Sequence, residues 1–107
     1  MRILFDQCTP VGIKRVLREH EVKTAAQPGW STLLNGELLS VAERAGFQVL
    51  VTSDQNLVHQ QNLSRLKIAI VALSSGRWSL IEPALDLIAE AVHKAEPGSY
   101  TIIDLPR

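Results

Sequence analysis

The sequence predicts an α/β domain, a three-layer α/β/α sandwich around a mostly parallel central sheet. Three observations lead there. Short runs rich in β-branched and aliphatic residues alternate with stretches whose apolar residues recur at helical spacing, the pattern of a sheet built from strand–helix–strand units. Two of those runs, "FQVLVT" at 47–52 and "KIAIVAL" at 67–73, have the composition of strands covered on both faces. The 107 residues contain no internal repeat, low-complexity tract, charge block or linker, so residues 1–107 make one domain with one core.

Element by element, Arg2 to Phe5 reads as a first strand. Thr9-Pro10 then reads as a helix start, because Pro is tolerated at the first helical position. Ile13, Val16, Leu17 and His20 continue that helix on one face, with Lys14, Arg15 and Arg18 elsewhere on it. A second short strand is expected around Glu21 to Ala25, and Pro28-Gly29 breaks the chain before Trp30. In "LLNGELLSVAERAG" the residues Leu34, Leu38, Val41, Ala42 and Ala45 form a helical stripe, with Gly46 suited to the carboxyl cap. "FQVLVT" and "KIAIVAL" follow as strands. "SLIEPALDLIAEAVHKA" reads as one longer amphipathic helix with Pro83 near its first turn, and "SYTIIDL" as a last strand.

Composition narrows the function classes. With 46% apolar and 21% charged residues the chain is an ordinary globular sequence. No apolar run approaches the ~20 residues that span a bilayer, and "MRILFDQ" is too short and too soon acidic for a signal peptide. The lone Cys8 permits no internal disulfide and fits a reducing cytoplasm. Eleven basic and eleven acidic residues cancel, so nucleic acid could be held only through a local patch.

In open parallel sheets ligands gather beyond the carboxyl ends of the strands. Asp6 ends the first strand, Asp54 follows the third, and Glu37 lies near the start of the intervening helix. Three carboxylates converging on one edge would form a hard oxygen site for Mg²⁺ or Mn²⁺. The same residues have a plainer reading: Asp54 and Asp6 as caps of the helices that follow them, and Glu37 as a first-turn acid favoured by the helix dipole. The two readings are not exclusive. Other chemistries fit worse. Cys8 lacks the Arg six residues on that a phosphatase loop needs, having Lys14 there. No glycine-rich turn follows the first strand. A phospho-acceptor receiver site would need an acid pair where the chain has Asp6, Gln7 and Cys8. His20, His59 and His93 have no metal-ligand spacing, and Trp30 and Trp78 suit core or loop-anchoring positions.

"ILFDQCTP", the "HEV" at 20–22, the "GW" of Gly29-Trp30, "NGELL" at 35–39 and "TSDQNLVHQQNL" at 52–63 together carry a resemblance. The chain resembles the compact PIN-like domains of bacteria and archaea, relatives of the toxin nucleases of toxin–antitoxin pairs. The last two motifs are the most specific and mark one subgroup; the final third of the chain matches only in its strand–helix–strand pattern. The resemblance implies a PIN-type fold and metal-dependent hydrolysis of RNA phosphodiesters by a metal-activated water. It also implies restraint by an antitoxin protein and admits a homo-oligomer. Carried over by position, Asp6, Glu37 and Asp54 hold Mg²⁺ or Mn²⁺, while Asn35, Asn56 and Gln7 stand behind the ligands or touch substrate. Lys14, Arg15 and Arg18 would supply the phosphate patch. Gln60, Gln61 and Asn62 belong to the signature without an assigned chemistry. The chain departs from the family it resembles in having Gln7, Asn35 and Asn56 where many of its members carry acids. An acid-poor site holds a divalent ion less tightly, so the resemblance also admits a weakened domain kept for association with a protein partner.

Overall fold

The computed structural model describes residues 1–6, 9–26, 29–30, 35–53 and 67–105, with Asn35 and Gly36 described by their backbone alone. Five strands form one sheet in the order β2-β1-β3-β4-β5: β1 Arg2–Phe5, β2 Glu21–Thr24, β3 Val49–Thr52, β4 Ala69–Leu73 and β5 Tyr100–Ile103. Every pairing is parallel. A 3₁₀ helix, Val11–Val16, joins β1 to β2, and α1, Asn35–Arg44, lies between β2 and β3. Between β4 and β5 come α2 Trp78–Ile81, a 3₁₀ turn Glu82–Ala84 and α3 Leu85–His93. This is the α/β sandwich expected from the alternation of elements.

The period-2 geometry of a strand sends successive side chains to opposite faces, and the core divides accordingly. Ile3, Phe5, Val49, Val51, Val71 and Leu73 meet Ile13 and Leu17 from the first connection and Leu85, Ile88 and Val92 from α3. Leu4, Leu50 and Ile70 meet Leu38, Leu39 and Ala42 of α1, together with Phe47. Both β3 and β4 are buried along their whole length.

α1 ends as its sequence indicates. The Phe47 N–H donates to the Ala42 carbonyl and the Gly46 N–H to that of Glu43, the two bonds of a Schellman cap. Gly46 takes φ +89°, a left-handed conformation open to glycine, and Phe47 packs beside Ala42. That cap uses Phe47, so β3 begins at Val49 rather than at the start of "FQVLVT".

Two expected helices differ. The one starting at Thr9-Pro10 is a 3₁₀ helix confined to Val11–Val16, capped by Pro10 without a side-chain bond. Its residues include β-branched Val11, Ile13 and Val16 together with Gly12, all weak α-formers. Gly12 is also wedged under Trp78, where a Cβ would sit 2.5 Å from the indole. The long helix over "SLIEPALDLIAEAVHKA" is broken at Pro83, which lacks the N–H an α-helical turn requires; α-structure resumes only at Leu85. No described helix is long and apolar enough to cross a membrane.

Candidate functional site at the carboxyl edge of the sheet

The strand order places a topological switch point between β1 and β3, where the chain has left β1 toward β2 and returned on the other side. Crevices at such points receive ligands in doubly wound sheets, flavodoxin-like ones of this same order included. The order therefore locates a crevice without naming its chemistry.

Asp6 stands at that point. It directly follows β1, its N–H donates to the Val51 carbonyl at 3.2 Å, and it is only 6% exposed. A carboxylate is costly to bury without hydrogen bonds, and two hydroxyls supply them. Thr9 Oγ1 donates to Oδ1 at 2.6 Å, and Thr52 Oγ1 donates to Oδ2. Thr9 Oγ1 also lies 2.9 Å from the Val51 carbonyl, so one hydroxyl ties the end of β1 to the end of β3. The capping role considered for Asp6 is taken by Pro10; the Asp6 side chain clamps two neighbouring strand ends. Each carboxylate oxygen has more than one acceptor position, so these two bonds do not by themselves saturate Asp6. Hydroxyls behind a ligand also fix its orientation.

Glu37 sits in the first turn of α1 and is exposed. Because α1 follows β2 and precedes β3 in a parallel sheet, its amino terminus opens on the same edge as Asp6. Asn35 is the first residue of α1. Asp54, Gln7 and Asn56 lie outside the described residues, as do Cys8, His59, Gln60, Gln61 and Asn62. Asp54 comes two positions after Thr52, the last residue of β3. Among the described residues no three His, Cys, Asp or Glu side chains gather around a common point.

The three nominated cations differ in availability. Arg15 is bound to Glu82 at 3.3 Å and lies 5.3 Å from the centre of the Trp78 ring. Lys14 shares the 3₁₀ helix with it, and Arg18 is exposed beyond that helix, three residues before β2. Since β2 starts at the amino edge, Arg18 lies in the chain close to that edge rather than to the crevice end of the sheet. The tryptophans act as packing residues: Trp30 meets Phe47 edge-on at 6.1 Å, and Trp78 packs on the core above Gly12.

Sequence reading missed Thr9 and Thr52 as partners of Asp6. A Thr three residues after the acid that follows β1, and another closing β3, form a usable signal, but only once the strand order is known. It also missed Ser74, Ser75 and Arg77, which follow β4 on the same edge and line a cavity of about 370 Å³ with Leu80. A second cavity, about 340 Å³, lies at the opposite edge between Met1, Phe47, Val49, Lys67 and Pro97.

At that amino edge the rings of His20 and His93, distant in sequence, meet at a tilt of 59° with centroids 4.8 Å apart. His20 Nδ1 lies 3.2 Å from the terminal amine of Met1, and its buried Nε2 has no hydrogen-bond partner among the described residues. Its pKa falls below 6.5 through burial first, then the charge of that amine, then His93, with Glu19 opposing. Folding thus disfavours the charged ring, and the unfolded chain binds the proton more readily. This contribution to stability is intact above about pH 6.5 and is lost as pH falls through the lower folded pKa. The melting temperature of the wild type should therefore drop more steeply on acidification than that of His20→Gln; parallel curves would remove His20 as the cause.

No family model, curated protein or solved structure matches the chain.

Proposed function

We propose that the protein is a Mg²⁺- or Mn²⁺-dependent ribonuclease of the PIN-like, toxin–antitoxin type. The observation that carries the reading is Asp6: a buried carboxylate beside the β1/β3 switch point, oriented by the hydroxyls of Thr9 and Thr52. Glu37 enters from the helix that opens on the same edge, and Asp54 follows β3 in the chain. An all-oxygen donor set of this kind suits a hard divalent ion. Asp6, Glu37 and Asp54 would hold it. When bound, the ion lowers the pKa of water and offsets charge at the phosphoryl group. The chain's own contribution is positional. Thr9 and Thr52 fix the Asp6 carboxylate, and α1 carries Glu37 in its first turn.

RNA cleavage with Mg²⁺ or Mn²⁺, compared between the wild type and Asp54→Asn, tests the assignment. Metal-dependent cleavage by the wild type alone is expected, and equal rates in the two proteins would sink it.

One observation favours a second reading. Both oxygens of Asp6 already serve hydroxyls that join two strand ends, which is enough to retain the residue for architecture. On that reading the domain has a weakened site and acts by association with a protein partner, an antitoxin or a second copy. Titration calorimetry with Mn²⁺ separates the two: binding abolished by Glu37→Gln supports the nuclease, and no binding at millimolar ion supports the association module.

A further inference from the structure

We propose that the cavity after β4 is a backbone-phosphate subsite for single-stranded RNA, with Arg77 as its charged contact and Ser74 and Ser75 as its neutral donors. The inference takes the identity of the polymer from the ribonuclease reading; the anion chemistry stands on the cavity itself.

Four described residues line the cavity: Ser74, Ser75, Arg77 and Leu80. They include one cation and no carboxylate. Arg77 is exposed, and its guanidinium is paired with no acid among the described residues. Arg15, by comparison, is occupied by Glu82 and Trp78. The serine hydroxyls are set in a particular sense. The Leu105 N–H donates to Ser74 Oγ at 2.8 Å, and the Arg77 N–H donates to Ser75 Oγ at 3.1 Å. Each oxygen is thereby used as an acceptor, which leaves its own O–H proton to be given to an outside acceptor. Two hydroxyl donors and a guanidinium fork around one cavity match the oxygens of a phosphate. Leu80 adds an apolar wall against which a sugar can rest. The other cavity offers no such match, because Glu43 lines it along with Lys67.

Position gives the site its meaning. β1, β3 and β4 are consecutive in the sheet, so Asp6, Thr52 and Ser74 mark successive strand ends along the carboxyl edge. At ~4.8 Å per strand the cavity lies roughly 10 Å from Asp6. A lone phosphate cannot occupy both places, whereas a polynucleotide can lie across them with one linkage at the acids and another at Arg77. This gives a chain of zero net charge the local phosphate contact it needs.

The test is fluorescence anisotropy with a labelled single-stranded oligoribonucleotide in EDTA, so that binding is read without cleavage, over about 50–200 mM salt. Arg77→Gln should weaken binding about tenfold and reduce the slope of log affinity against log salt by about 0.7. Arg77→Lys should keep that slope, since the charge remains. Lys94→Gln, an equal change of net charge at the end of α3, should alter neither quantity. Equal effects of Arg77→Gln and Lys94→Gln, or no effect of Arg77→Gln, would overturn the subsite, as would failure of the wild type to bind RNA. Unchanged melting temperatures exclude a folding artefact. Cleavage of the same RNA with Mn²⁺ is scored in parallel. Arg77-dependent binding without cleavage leaves the subsite standing and removes the nuclease; cleavage indifferent to Arg77 does the reverse.

Discussion

Phe5→Ala is expected to destabilise the protein by about 3–5 kcal/mol. Phe5 is fully buried and lies on β1, which has a strand on either side. Its ring belongs to the cluster that includes Ile13, Val51 and Leu73, so its removal opens a cavity lined by sheet and connection together. Strand neighbours cannot move in to fill it, because β1 is fixed by parallel ladders to β2 and β3. The truncation keeps the backbone, including the 2.8 Å bond from the Ala25 N–H to the Phe5 carbonyl, so the loss is one of packing. Domains of this size have only about 5–15 kcal/mol of stability in total, and each kcal/mol moves the melting point by about 4 °C. Thermal unfolding followed by circular dichroism should show a fall of roughly 12–20 °C. A fall of less than about 5 °C would mean that the site collapses around the missing ring.

What the sequence disclosed was local, and what it concealed was mostly long-range. β3 and β4 were legible because parallel strands buried on both faces leave an unbroken apolar run. α1 was legible because its stripe and its Gly46 cap agree. The first connection was misread as an α-helix because Ile13, Val16 and Leu17 satisfy helical spacing, and spacing does not register that Gly12 must admit Trp78 from a distant segment. The sequence pattern sets Pro83 near the first turn of one long helix, whereas it interrupts that helix, since proline serves either role and the choice depends on what packs around it. At the candidate site the acid of β1 was found by its place at a strand end. Its partner Thr52 is 46 residues away, and nothing in a linear pattern joins the two. Arg77 escaped for a related reason: it becomes notable only when Ser74 and Ser75 are seen to line one cavity with it.

Asp6→Asn and Asp6→Leu are expected to separate the architectural and chemical uses of the same carboxylate. Asparagine has nearly the volume of aspartate but replaces one acceptor with an amide donor. One threonine must then turn from donor to acceptor. Thr9 can do so, because its proton has a second acceptor in the Val51 carbonyl at 2.9 Å, leaving a lone pair for the amide. Asp6→Asn should therefore fold at a cost of about 1 kcal/mol. Leucine offers Thr9 and Thr52 no acceptor at this position, and its cost should be larger, about 2–4 kcal/mol. Cleavage should respond differently. If Asp6 is a ligand, the charge itself is needed, and Asp6→Asn should lose at least a hundredfold in RNA cleavage despite its near-native melting point; changes to groups merely behind a ligand cost ~10–100-fold. A well-folded Asp6→Asn that cleaves RNA within threefold of the wild type would make Asp6 a clamp between β1 and β3. The ligand set would then have to be assembled without it. Chemical denaturation and cleavage measured on the same two variants give the answer, because the clamp acts through hydrogen bonds that asparagine can largely replace and the ligand acts through a charge that it cannot.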